Sequence, residues 1–399
     1  MKASSLSITV LSLGFLFSCN TPYQALHQKV VLVDTHNDVI SQVIMEGLSV
    51  EQDLTGKAHT DLVRMKKGGL DVQVFAVFCD ETYGPGRAFA FANQQIDTLE
   101  AVVRRNPDKL QMVYSPAQMH EAVKVGRIAS MTGVEGGHMI EDKLDNLDHL
   151  YNRGVRYLTL TWNNSTAWAS SAADETRGEG YNGKKGLNEF GKQVVRRMNN
   201  LGMLVDLSHV GEQTFWDVMA TTTKPVLVSH SCAAALCKHS RNLDDEQIKA
   251  VGKNGGVIHL NFFSEFLDSS YNQRVQAFMS RHQNDIKALE EKGIKGPALR
   301  AALYRQFPQE ASTLNPPISV LIDHIDHVVK LAGVDHVGLG SDYDGISSAP
   351  QGLEDVSTYP LITKALMERG YKKKEIEKIL GGNFIRVWEA NSSSSVARN

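Results

Sequence analysis

The chain has 399 residues, 42% hydrophobic and 22% charged, the balance of an ordinary globular protein. Lysine and arginine number 42 against 45 acidic residues, a net charge of −3, which argues against a nucleic-acid partner because such proteins carry a basic excess. Four cysteines are too few for a disulfide scaffold; the 14 histidines raise a different question, whether any of them cluster as metal ligands.

Residues 1–18 place Lys2 ahead of an apolar stretch that includes Ile8, Val10, Leu11, Leu13, Phe15, Leu16 and Phe17. About 20 apolar residues are needed to span a bilayer, so this shorter stretch reads as a secretory signal peptide. Leu16-Phe17-Ser18-Cys19 is similar to a bacterial lipobox, with Phe17 bulkier than usual at its position. It predicts an exported, cell-envelope lipoprotein with the lipid on Cys19. Cys79, Cys232 and Cys237 then remain, an odd number that leaves at least one thiol free.

Eight apolar, β-branched runs follow: Val30–Val33, Val72–Phe78, Ile128–Val134, Arg156–Thr161, Leu204–Ser208, Val226–Ser229, Val257–Phe262 and His336–Gly340. Runs of this kind suit strands buried on both faces of a parallel sheet. Helical spacing fills most of the gaps, at Phe89–Arg105, Leu187–Leu201, Gln213–Ala220 and Ile318–Leu331, with a final helix over Glu375–Trp388 interrupted at Gly381-Gly382. Eight β-then-α units predict an α/β fold, a (β/α)₈ TIM barrel over residues 28–390 with a disordered tail at 391–399. A doubly wound open sheet is the alternative, but no glycine-rich phosphate loop follows the first run. Two connections are long: Asn163–Gly186, polar and glycine-rich, and Ser264–Pro317, an enlarged segment between strands seven and eight. On a barrel these are loops over the active face or an added subdomain.

A barrel carries its chemistry at the C-terminal ends of its strands. The first run leads into Asp34-Thr35-His36-Asn37-Asp38, where His36 and Asp38 point to one side of an extended chain. The third ends in Glu135-Gly136-Gly137-His138, the fifth in Asp206-Leu207-Ser208-His209, the sixth in Ser229-His230 and the eighth in Ser341-Asp342-Tyr343-Asp344. Taken singly, each is explained as well by a turn or a satisfied core histidine. Together, His36, Asp38, Glu135, His209 and His230 put three imidazoles and two carboxylates on one rim. That is enough for two metal ions with a bridging carboxylate, and nitrogen and oxygen donors suit Zn²⁺, with Mn²⁺ or Co²⁺ as alternatives. Two such ions can share a hydroxide, and Asp342 is then the natural proton shuttle. His324 and His327 are read as structural, because their helix precedes the eighth strand, away from the active face. His259 reads as barrel filling, and His138 and His239 as supports near the site.

These strand ends resemble the membrane dipeptidase family of zinc peptidases, among the amidohydrolase-like barrels. The resemblance runs from about Val31 to Trp388. It rests on Val33–Asp38, Gly133–His138, Asp206–Val210, Val228–Ser231, Arg241-Asn242, Gly338–Gly345 and Gly382–Phe384, in that order and spacing. It implies two zinc ions per chain, one on His36 and Asp38, the other on His209 and His230, with Glu135 bridging. It implies Asp342 as acid/base, and Arg241 as the group that binds the substrate's C-terminal carboxylate. From the residues alone, Arg241 would be a helix-start residue beside Asp244 and Asp245. The resemblance also implies a homodimer and a dipeptide substrate. The chain departs from the family after Leu158-Thr159-Leu160-Thr161, where a substrate-contacting histidine is usual and Trp162 stands here. An indole can donate one hydrogen bond but carries no charge. Asn163 is the neighbouring candidate to contact substrate in its place. The departure keeps a second activity in view on the same metal site: hydrolysis of another small amide or ester, such as an N-acyl amino acid.

Overall fold

The structure, a computed structural model, describes residues 21–181 and 183–392; the expected signal peptide and Cys19 lie outside the described residues. Nine strands form one parallel sheet: β1 (Val33–Asn37), β2 (Val72–Phe78), β3 (Leu110–Met112), β4 (Ile128–Glu135), β5 (Val155–Thr159), β6 (Leu204–Asp206), β7 (Leu227–Ser231), β8 (Val257–Leu260) and β9 (Val337–Leu339). Eight of them run in the order β1-β2-β4-β5-β6-β7-β8-β9. The ring closes where the Asp38 amide donates to Tyr343 O and the Asp342 amide to His36 O, beside an Asn37–Tyr343 bridge. This is the (β/α)₈ barrel that the eight runs predict. β3 is an addition: it pairs with Ile128–Ser130 at the lower end of β4, and at three residues it is too short to leave a pattern in the sequence.

The first strand is displaced from its expected position. The apolar run predicts Val30–Val33, whereas β1 occupies Val33–Asn37, so the polar residues are the strand itself. They are buried because the barrel supplies partners: the Thr35 hydroxyl donates to Ser229 O, and Asp34 accepts from the Ser341 amide and hydroxyl and from the Tyr359 hydroxyl. Side chains alternate along the strands. Phe75, Val77, Val134, Leu158, Val205, Val228 and Leu339 join the core under the helices. Val72, Val74, Ala129, Met131, Leu204, Leu227 and Val257 form a second core with Phe384 and Trp388 of the C-terminal helix.

The helices follow their apolar spacing. Ala88–Arg105 buries Phe91, Ala92, Ile96, Leu99, Val102 and Val103 along one stripe. The last helical stretch is interrupted as expected, by a π turn at Lys378–Gly382, where Gly381 packs on Val31 O too closely for a side chain. It continues through Asn391 and Ser392, two residues expected in the tail; Asn391 is buried and donates to Pro225 O and Val387 O. At the other end a helix at Pro22–His27 precedes the expected start, its buried His27 bonded to Thr363 and to Gly68 O. The enlarged segment between β8 and β9 folds into short helices, including Tyr271–Arg281, Gln283–Glu291 and Gly296–Gln306, around a core of its own formed by Tyr271, Phe278, Leu289 and Leu303. No helix among the described residues is long and apolar enough to cross a membrane.

Candidate metal centre and active site

The strand register sets the site. Glu135 at the end of β4 pairs with Phe78 on one side and Thr159 on the other, and Thr159 pairs with Asp206, so the strand ends share one level. His36, Glu135, His209 and His230 meet there. His36 Nε2 lies 3.5 Å from Glu135 Oε2, and 3.4 Å from Asp38 Oδ2. His209 Nε2 and His230 Nε2 lie 2.8 and 3.3 Å from Glu135 Oε1. Asp342 joins the His36 side: ligand atoms of His36, Asp38 and Asp342 all lie within 4.8 Å of one another, as do those of His36, Glu135 and His230. The sequence gives Asp342 only a proton-shuttle role; the geometry also sets it beside His36 and Asp38, within reach of the same ion. Its Oδ2 accepts from Asn261 Nδ2 at 2.8 Å.

Two of these residues, His209 and Asp342, have φ of 65° and 61°, in the left-handed region that non-glycine residues seldom occupy. Backbone strain of this kind costs on the order of 1 kcal/mol or more, and it aims both side chains into the rim.

Each of the three imidazoles is held through Nδ1 by an oxygen. His36 Nδ1 meets the Tyr157 hydroxyl at 2.8 Å, and that hydroxyl donates to Thr35 O. His230 Nδ1 meets the Ser229 hydroxyl at 2.8 Å, which donates to Asp206 Oδ2. His209 Nδ1 meets Asn163 Oδ1 at 3.1 Å. In each case the oxygen can take an Nδ1 proton, the tautomer that leaves Nε2 facing the rim. Sequence reasoning missed Asp34, Tyr157, Asp206 and Ser229. One signal was available: Asp34 and Asp206 each accept the amide two residues on, of His36 and of Ser208, and so fix the turn that carries a site histidine.

The groups of the cluster shift in different directions. Burial alone would lower the pKa of His36, but Tyr157 and the adjacent Glu135 and Asp38 carboxylates raise it well above the usual range. Burial, reinforced by Asp38 and Glu135, lifts Asp342 well above an ordinary carboxylate. His209 is lowered to about 4 by burial and by the Arg241 charge, and His230 falls well below its ordinary value through burial and the neighbouring His36. Buried His36 Nε2 and Asp38 Oδ1 have no hydrogen-bond partner.

Arg241 is buried, not a surface residue at a helix start; Asp244 caps the following helix, Asp245–Asn254, by accepting from the Gln247 amide. The guanidinium donates from Nη2 to His230 O, packs 5.5 Å over the Phe266 ring, and leaves its buried Nε without a partner. No carboxylate among the described residues lies within salt-bridge distance of it. Arg241 lines a cavity of about 280 Å³ with Asp38, Glu135, Trp162, Asn163, His209 and Asp342. Trp162 forms an apolar wall there with Phe78, ring centroids 5.0 Å apart. The other histidines with sequence-assigned roles lie outside the cluster. His138 Nε2 is on Cys79 O, and His239 Nδ1 accepts from the Arg241 amide. His259 fills the barrel against Gly338 and Phe384. His324 joins Ala233 N to Leu267 O, and His327 meets Asp245.

A parallel barrel with a histidine and carboxylate cluster at its strand ends defines a metal-dependent hydrolase class. The comparisons give the family. Residues 21–398 match the model of the membrane dipeptidase family, peptidase family M19, and the chain belongs to it as a metallo-dipeptidase. Among solved structures, it is similar to the probable dipeptidase PvdM of Pseudomonas aeruginosa, at 25% identity and a TM-score of 0.74 over 93% of this chain and 98% of that one. A metallopeptidase of Rhodobacter sphaeroides, liganded with a phosphinate mimic of the dipeptide L-Ala-D-Ala, shares the fold at 24% identity and a TM-score of 0.74, over 91% and 99%.

Proposed function

We propose that this metallo-dipeptidase is an exported zinc enzyme that hydrolyses the peptide bond of dipeptides, including those with a D-residue at the C-terminal side. The observation that carries the substrate is Arg241, a buried cation without a carboxylate partner in the same cavity as the metal-type cluster. A buried charge needs a counter-charge, and a planar guanidinium suits the terminal carboxylate of a dipeptide. The mimic held by the Rhodobacter sphaeroides relative supports this reading.

The residues fit a pair of divalent ions. His36 Nε2 and Asp38 Oδ1 are buried ligand atoms without hydrogen-bond partners, and Glu135 offers Oε2 to the His36 side and Oε1 to the His209 and His230 side. His36 and Asp38 would hold one zinc, His209 and His230 the other, with Glu135 shared between them. When bound, the ions would polarise the scissile carbonyl and lower the pKa of a water. Asp342, positioned by Asn261, takes a proton and returns it to the leaving amine. Arg241 orients the substrate, and the wall of Phe78, Trp162 and Phe266 keeps bulk water from the bond.

Localisation follows from the sequence pattern at 1–19, with Cys19 as a lipid anchor, and the family resemblance supports a homodimer. Detergent phase partitioning of the wild type and of Cys19→Ala tests the anchor. The activity is tested on a dipeptide panel with the zinc-loaded protein, N-acyl amino acids serving as the competing class. Cleavage of the N-acyl compounds alone would replace the dipeptidase reading with the one that Trp162 suggests.

A further inference from the structure

We infer that Asn163 both fixes the ring of His209 and presents its own amide NH₂ as the hydrogen-bond donor to a ligand oxygen in the active cavity. The inference rests on the functional reading above and deepens it.

The argument begins with the three histidines. His36 and His230 are held by hydroxyls, of Tyr157 and Ser229, that lie deep in the barrel wall and pass their own protons onward to Thr35 O and Asp206. His209 is held differently. Its partner is the carboxamide of an exposed loop residue, which closes no relay. A hydroxyl suits either tautomer by turning its proton, whereas a carboxamide does so only by flipping, which exchanges its oxygen and its NH₂. If Nε2 of His209 is to face Glu135 as a lone pair, Nδ1 carries the proton and Asn163 must offer its oxygen. The Nδ2 group is then turned away from the histidine. Asn163 lines the cavity, and its Nδ2 makes no hydrogen bond among the described residues.

The other neutral side chains there are less suited. Gln42 gives its Nε2 to Asp344 O, and Ser41 gives its hydroxyl to Asp38 O. The indole of Trp162 packs against Phe78 and is not tied to the cluster by a hydrogen bond. Asn163 alone of these couples a free donor to a site histidine. Its loop is pinned for the purpose: the Ser171 hydroxyl donates to Asn163 O, and the Ser165 amide to Asp174.

Two substitutions separate the two roles. Asn163→Asp keeps an acceptor for His209 and loses the donor. Asn163→Leu loses both and adds no charge. Zinc affinity by competition with a chelating dye, and kcat and KM at saturating zinc on a cleaved dipeptide, are the readouts. Asn163→Leu should weaken the more labile zinc by about tenfold. Both variants should lose about 100-fold in kcat with KM changed by less than about threefold, and Asn163→Asp should bind zinc at least as well as wild type. Unchanged zinc affinity in Asn163→Leu overturns the positioning role. Unchanged kcat in either variant overturns the donor role, and a loss of kcat in Trp162→Phe alone reassigns the donor to the indole. If the wild type binds zinc but cleaves no dipeptide, the functional reading fails by itself. The same variants are then compared by affinity for a phosphinate dipeptide mimic, where the donor's loss should weaken binding and unchanged binding overturns it.

Discussion

His209 and His230 bring their Nε2 atoms to 3.0 Å of each other, with Glu135 Oε1 beside both. With each Nδ1 beside an oxygen, both Nε2 atoms turn inward, an arrangement suited to a shared cation. The whole cluster follows the same logic: carboxylates of Asp38, Glu135 and Asp342 stand around three inward-facing imidazoles, with Arg241 as the nearby cation.

The first prediction concerns the groups that hold the histidines. Tyr157→Phe and Ser229→Ala each remove a hydroxyl on an imidazole Nδ1. Zinc affinity should fall by about 10- to 100-fold, while stability without metal drops by only about 1 kcal/mol. Zinc titration and thermal unfolding with and without chelator check this. Equal loss with and without metal would mean that the hydroxyls serve packing alone.

The second concerns Arg241. Arg241→Ala should lower kcat/KM on dipeptides by about 100-fold or more, a cost of ~3 kcal/mol typical of losing a buried charge pair. Amides without a terminal carboxylate should be far less affected. A matched pair, free dipeptide and its C-terminal amide, gives the comparison; equal losses on both would show that the guanidinium only supports the wall.

The third concerns Asp342. Asp342→Asn removes the proton carrier but keeps a polar side chain of the same shape. The expected result is a fall in kcat of about 100- to 10,000-fold with zinc stoichiometry retained. Loss of one zinc in metal analysis would instead make Asp342 a ligand, which its closeness to His36 and Asp38 allows.

The fourth lies away from the site. Burial raises Asp71 from 3.8 to about 6, although its carboxylate accepts the Leu32 amide. The folded state therefore binds this proton more tightly than the unfolded state does. Its contribution to stability declines as pH rises from 3.8 to about 6 and is constant above. Asp71→Asn keeps the acceptor and lacks the titration. Relative to wild type it should gain up to about 3 kcal/mol across that window, read by urea unfolding at a series of pH values. A parallel pair of curves would exclude the effect.

The barrel was readable because runs such as Val72–Phe78 and Ile128–Val134 are apolar on both faces, as only an enclosed parallel strand requires. The rim residues were readable because His36, Glu135, His209 and His230 recur at equivalent strand ends. What stayed hidden depends on partners far along the chain. Nothing near Asp34 announces Ser341 or Tyr359, and nothing near His36 announces Tyr157. The burial of Arg241 was also out of reach, because its local surroundings, with Asp244 and Asp245 close by, look like an exposed helix start. β1 was misplaced because its polar residues find their partners on other elements only once the ring has closed.

Tyr157 reaches His36 across space left open by Gly133, where any Cβ would overlap its phenol ring. A residue with no functional group thereby governs how firmly a metal-type histidine is held. Enlarging position 133 would push the phenol aside and loosen His36 without touching the cluster itself. Chain variants that tune metal retention can thus arise on the concealed wall of the barrel, out of contact with any substrate, where a search confined to the cavity lining would not look.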